Sequence, residues 1–282
     1  MIQTAAEYIE SARSIDGRTW AQVGAVAAIS TVALLPVAWL AVKRLVPDRN
    51  IVFARWGFSH VAMAIGLLVL VVYAAGALIG GGRSLIGDLA IMGSAFGALA
   101  LAIVAWSIRL DPDGVRVLGF RKSGSFRAIA AGLVAYLIAI PGILGLIPLW
   151  GWILELVGHT QVPQDIALRF AALSPAEQLL PLVLGVLIQP LLEELVFRSF
   201  LQPLLVQNFR EVAGVALTSF VFAALHGPDL FLPIFALSCL LGAIMLRTQN
   251  LYAVWAMHAL NNGIMFAVLV ASPEFVGSGG GS

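Results

Sequence analysis

Charge is what this sequence has least of. Asp, Glu, Lys and Arg make up 11% of its 282 residues, against roughly 25% in an average soluble domain. The 16 basic and 15 acidic side chains leave a formal charge of +1, which offers nothing to the phosphates of a nucleic acid, and no such partner is expected. Cysteine is nearly absent too. The one thiol, Cys239, excludes an intrachain disulfide and a cysteine-rich metal site, and its apolar neighbours assign it to packing. No stretch alternates with the period of two that a membrane barrel shows. No fixed-period repeat and no soluble domain can be traced. A basic-then-apolar leader is also missing: Met1 to Thr19 carries Glu7, Glu10, Arg13, Asp16 and Arg18 and reads as a short amphipathic or flexible lead.

What remains is hydrocarbon. Hydrophobic residues reach 60% and the mean hydropathy is +0.97, so the chain reads as an all-α, polytopic membrane bundle whose first partner is the lipid bilayer. Apolar runs of spanning length fall near 20–42, 57–80, 86–107, 127–149, 178–206, 211–227, 230–247 and 251–272, about eight helices. The organisation expected is a lead over 1–19, transmembrane helices with an interfacial segment over 20–176, a second helical group over 177–272, and a tail over 273–282. That tail ends in Gly277-Ser278-Gly279-Gly280-Gly281-Ser282, which reads as an appended linker. Asp111-Pro112-Asp113-Gly114 marks a turn in the connection at 108–126. Around 150–177, Glu155, His159, Asp165 and Arg169 among apolar residues suggest a helix lying in the interface. The tryptophans, Trp20, Trp56, Trp106, Trp150 and Trp152 among them, read as an interfacial belt. Lys43, Arg44, Arg49, Arg55, Arg109, Arg116, Arg121, Lys122, Arg127, Arg210 and Arg247 collect on one side, opposite Arg13, Arg18, Arg83 and Arg169. By the positive-inside rule both termini lie outside the cytoplasm.

One apolar run breaks the pattern. Gln189-Pro190-Leu191-Leu192-Glu193-Glu194-Leu195-Val196-Phe197-Arg198 sets three charges at membrane depth, each costing roughly 2.5–3.5 kcal/mol to insert unless it finds an internal partner or a wet cavity. On a helix Glu194 and Arg198 stand at i and i+4 and can pair. Glu193 is turned about 100° away and lacks that partner, which makes it a candidate acid or base. Downstream, Phe222-x-x-x-His226 and His258-x-x-x-Asn262 place two imidazoles and an amide in further apolar helices. A hairpin turning near Asn208 to Glu211 brings Glu193 and His226 to similar depth, since a helix rises about 1.5 Å per residue. These parts suit the addition of water to a carbonyl. Glu193 takes a proton from water, His226 orients that water or shares the proton, and His258 with Asn262 holds the oxyanion. Glu194 and Arg198 fix the helix face. Phe197 and Phe222 read as packing residues, and His60 and His159 receive no role.

Glu193-Glu194-x-x-x-Arg198, Phe222-x-x-x-His226 and His258-x-x-x-Asn262, in that order over about 180–265, resemble the three motifs of the CPBP family. This family includes the type II CAAX prenyl endopeptidases and the Abi-type bacterial membrane proteins. The resemblance implies a metal-independent, glutamate-type intramembrane protease. Its substrate would be a membrane-anchored or lipid-modified protein or peptide, with the first glutamate and the His226 position activating water and the third motif forming the oxyanion hole. Ser199 departs from the glycine common after the arginine, a small-for-small change. No cofactor is implied. The Ala- and Gly-rich composition points to a bacterial plasma membrane. Two alternatives stand beside this reading. One is a zinc metalloprotease, though no His-Glu-x-x-His spacing is present. The other is a catalytically silent scaffold, immunity-type factor or transporter using the same polar cluster.

Overall fold

The computed structural model describes residues 17–46, 54–79, 84–159, 169–170 and 172–271. Helices run α1 (Gly17–Leu45), α2 (Phe58–Ile79), α3 (Leu85–Leu110), a short 3-10 turn (Gly114–Leu118), α4 (Ser125–Leu156), α5 (Pro175–Val183), α6 (Gln189–Glu194), α7 (Gln202–Ala224), α8 (Phe231–Thr248) and α9 (Leu251–Ala271). Among the described residues six helical stretches are long and apolar enough to cross a membrane, counting 176–224 as one. This is an integral, multi-pass, all-helical membrane protein. The lead over 1–16 and the tail over 272–282 lie outside the described residues. Gly17, Arg18 and Thr19, assigned to the lead, are instead the first turn of α1.

The stretch 176–224 is two rods. Its helix breaks at Arg210, whose φ of 69° and ψ of 170° reverse the chain, so the hairpin turns inside the expected window of 208–211. The legs cross closely at Gly214, where a Cβ would lie 2.5 Å from the Val206 nitrogen. Only a residue without a side chain allows that approach. Counting this break, the described residues hold about the number of rods that hydropathy predicts.

Two wide π-helical segments, Leu184–Ile188 and Leu195–Leu201, interrupt the first rod. Each is followed by Gln-Pro: Gln189-Pro190 and Gln202-Pro203. Proline has no N–H and its ring crowds the carbonyl four residues back, so the preceding turn widens. The backbone N–H of Gln189 bonds Leu184 O and that of Gln202 bonds Phe197 O, each five residues back. Gly185 O, freed this way, and Leu187 O beside it accept from α9. Asn262 Nδ2 donates to Gly185 O at 3.0 Å, and Trp255 Nε1 to Leu187 O at 2.8 Å. Proline thus ties α9 to the first rod.

The first group of helices packs through small residues. A Cβ on Gly142 would meet that of Thr31 at 2.5 Å, and one on Gly24 would strike Gly145 O at 2.1 Å, so α1 and α4 touch almost backbone to backbone. Gly132 does the same between α4 and α9, with Met257 Sδ 2.8 Å from where its Cβ would be. Between α3 and α4, Gly119 at φ 86° gives its carbonyl to Leu251 N at 3.0 Å, seating the start of α9. Leu118 O accepts from Ser199 Oγ at 2.6 Å.

Two expectations are corrected. The tryptophans do not all form a belt: Trp20 is exposed, but Trp56 is buried, donates Nε1 to Phe200 O at 2.9 Å and stacks on that ring. Trp106 also stacks on Phe200. Indoles seek a carbonyl when buried, and position relative to the apolar runs does not reveal which do. The interfacial helix is likewise displaced. α4 continues to Leu156 and takes in Trp150, Trp152 and Glu155; residues 160–168 lie outside the described set. Beyond them Arg169 pairs with Asp88 at 2.7 Å, and Phe170 is buried edge-on against Phe266.

Candidate active site

The first rod carries Glu193, Glu194 and Arg198 to the middle of the fold, where their environments diverge. The Glu194 and Arg198 side chains are fully buried, whereas Glu193 keeps 13% of its surface. Arg198 Nε stands 3.3 Å from Glu194 Oε2, within ion-pair range but not aligned as a hydrogen bond. The guanidinium is held by further contacts: Nη2 donates to Ser238 Oγ at 3.0 Å, and its carbon lies 5.0 Å from the centre of the Phe222 ring. Glu194 accepts from a second direction, its Oε1 lying 2.8 Å from His258 Nδ1.

His258 therefore sits between two carboxylates. A carboxylate within hydrogen-bond distance makes Nδ1 the donor, so Nε2 is the atom that faces Glu193 Oε2, at 3.8 Å. That gap is too long for a direct hydrogen bond. With Nδ1–H given to Glu194, a hydrogen on Nε2 as well would make His258 a cation lying between the two carboxylates. The other oxygen of Glu193 accepts from Gln189 Nε2 at 2.8 Å. Gln189 stands one turn before Glu193, and only this i, i+4 spacing beside a carboxylate announces it in the sequence.

His226 ends α7. Its Nδ1 lies 2.8 Å from Phe222 O, a group that can only accept, so Nδ1 carries the hydrogen and Nε2 is left as an acceptor. Phe222 is wholly buried and packs against His226, His258, Phe197 and Arg198. It is the floor on which both imidazoles and the guanidinium rest, more than the packing residue its hydrophobicity announces. The next residues are held from α4 and beyond it: Trp150 Nε1 donates to Pro228 O at 2.7 Å and His159 Nε2 meets Asp229 Oδ1 at 2.7 Å.

A cavity of about 370 Å³ opens beside these groups. Glu193, His226, His258 and Asn262 all line it, whereas Glu194 and Arg198 lie behind its wall. Gln189 and Asn261, for which the motifs supply no role, line it as well. Most of the remaining wall is apolar, including the clustered Leu85, Phe170 and Phe266 as well as Ile143 and Leu237. Such a chamber combines a carboxylate, two imidazoles and amide donors with walls that exclude bulk water. Among the described residues no three His, Cys, Asp or Glu side chains are grouped to hold a metal ion.

Residues 175–264 match the family model described as Type II CAAX prenyl endopeptidase Rce1-like. No curated protein and no solved structure matches the chain. The matched segment contains Glu193, Glu194, Arg198, His226, His258 and Asn262, and over these residues the chain is similar to the CAAX-type proteases of the CPBP family.

Proposed function

We propose that the protein is an intramembrane endopeptidase that hydrolyses a peptide bond of a membrane-anchored or lipid-modified protein by glutamate- and histidine-activated water. The observation that carries this reading is the single cavity onto which Glu193, His226, His258 and Asn262 all open. Its apolar walls suit hydrophobic side chains flanking the scissile bond.

In this mechanism water enters between Glu193 and His226. Glu193 removes its proton while the acceptor Nε2 of His226 orients the other hydrogen, and the water oxygen bonds to the carbonyl carbon. The carbonyl oxygen becomes an oxyanion, met by an N–H of Asn262 and, when His258 carries hydrogen on both nitrogens, by its Nε2–H. Collapse of the tetrahedral species breaks the C–N bond. The proton held by Glu193 passes to the departing amine, which restores the carboxylate. Glu194 holds the His258 ring so that Nε2 faces the reaction, much as a buried carboxylate fixes the histidine of other hydrolases. Arg198 sets a counter-charge beside Glu194 without reaching the cavity.

The test compares cleavage of a membrane-anchored peptide by purified wild type, Glu193→Gln and Asn262→Ala, each with and without a strong chelator. Glu193→Gln keeps volume but accepts no proton, so turnover falls by about 10²- to 10⁴-fold. Asn262→Ala costs about 10²- to 10³-fold through one lost oxyanion donor. The chelator changes nothing. Activity lost to the chelator and restored by zinc replaces this mechanism with a metalloprotease, and full activity in Glu193→Gln removes that residue from the chemistry.

A further inference from the structure

The oxyanion donor of the proposed reaction, Asn262, is not free to choose its orientation. Its Nδ2 donates to Gly185 O at 3.0 Å. Asn261 Nδ2 donates to Asn262 Oδ1 at 3.3 Å, and Tyr136 Oη donates to Asn261 Oδ1 at 3.1 Å. We infer that Tyr136, on α4 and outside the family-matched segment, is a positioning residue that fixes the Asn262 amide through Asn261. The inference rests on the reading given under Proposed function and deepens it.

The direction of this chain is dictated at its far end. Gly185 O has no backbone donor: the Gln189 N–H is spent on Leu184 O, and Pro190, five residues on, has no N–H to give. A carbonyl accepts only, so Asn262 must turn its NH₂ toward it and its Oδ1 away. Asn261 must then present NH₂ to that Oδ1 and its own Oδ1 to Tyr136, whose phenol is left to donate. Reversing any member sets two acceptors or two donors face to face. With one N–H on Gly185 O, Asn262 keeps its second for an oxygen in the cavity.

The backbone makes the reach possible. Gly132, one turn before Tyr136, meets Met257, one turn before Asn261, with the closeness that a missing Cβ allows. Ala128, Ala131 and Ala135 continue the buried small face of α4. Tyr136 is itself wholly buried, so its hydroxyl must find its partner within the protein. Rotating the Asn262 amide by half a turn would aim an oxygen at the developing negative charge. Each member of the relay thus bears on the transition state more than on the ground state.

The experiment is a double-mutant cycle on cleavage of the membrane-anchored peptide, using Tyr136→Phe, Asn262→Ala and both together, with Glu193→Gln as the reference for lost chemistry. Tyr136→Phe keeps the ring and removes only the donor. The result expected is kcat about 10-fold lower at unchanged KM, a fraction of what loss of the whole oxyanion donor costs. In the Asn262→Ala background the same change is silent, because the amide it positions is gone. A general loosening of the α4–α9 contact would instead lower kcat equally in both backgrounds, and that result, or wild-type kcat in Tyr136→Phe, overturns the relay. If Tyr136→Phe loses its melting transition, Asn261→Ala cuts the same chain and is held to the same non-additivity with Asn262→Ala. Wild-type cleavage no faster than that of Glu193→Gln overturns the protease reading itself, and the relay's role with it.

Discussion

The two parts of the bundle, α1 to α4 and 175–271, are held together by different physics. In the first, helices approach through Gly24, Gly142 and Gly145, and their outer faces are given over to lipid. Only 6% of the α2 window is buried, against 50% of α8. In the second, eleven of the fourteen buried polar or charged residues among those described fall between Glu194 and His258. Dispersion between close backbones suffices to assemble helices in a bilayer. Buried polar groups cost free energy unless every partner is in place, so their concentration in one part marks where the molecule does more than span. The parts meet where Tyr136 of α4 reaches Asn261, and where Leu118 O receives Ser199.

Four changes sharpen or break this contrast. The largest effect is expected at Arg198: Arg198→Met leaves Glu194 charged, buried and without its counter-charge, which costs about 3–5 kcal/mol. Thermal melting in detergent reads the loss, and adding Glu194→Gln recovers part of it. If Arg198→Met melts like wild type, the polar cluster is not what holds the second part together. Gln189→Leu removes a hydrogen bond to a carboxylate, worth about 1.5–3 kcal/mol. It lowers both the melting temperature and, because Gln189 faces the cavity, kcat for the membrane-anchored peptide, and a shifted melting temperature with normal kcat reassigns it to packing.

Across the divide, Gly142→Val forces α1 from α4, an overpacking cost of about 1–3 kcal/mol. Its effect is on melting, with the kcat of the folded fraction unchanged. Loss of kcat in a normally melting Gly142→Val would show the two parts to be coupled more tightly than their packing indicates. The smallest effect is at the hairpin. Arg210 holds a positive φ with extended ψ, a region that favours glycine. Arg210→Gly raises the melting point by the equivalent of up to about 1 kcal/mol, less the added freedom of the unfolded chain.

Much of the architecture is legible because its signals are local. Runs of about 20 apolar residues identify spans, and the hairpin at Arg210 follows from the break between two such runs. The Glu194–Arg198 pair follows from helical spacing. Where the reading of the residues fell short, the cause is long-range. Trp56 resembles any interfacial tryptophan until Phe200 O, 144 positions later, is found to accept from it. His258 reads from its spacing as a partner of Asn262 alone. It proves to be clamped by Glu194 as well, because α9 and the first rod cross at that level.

The sequence alone determined that this chain lies in a bilayer, which residues carry charge there and which helix holds each of them, since composition and periodicity act over a few turns. Tertiary structure decided that Glu194 is clamped to His258 behind the cavity wall, that Gln189 and Asn261 join that cavity, and that Tyr136 reaches Asn261 from the other part of the bundle. Those choices depend on how the proline-widened rod is rotated against α9 and how closely Gly132 admits α4. Rotation and approach are set by contacts between residues far apart in the chain.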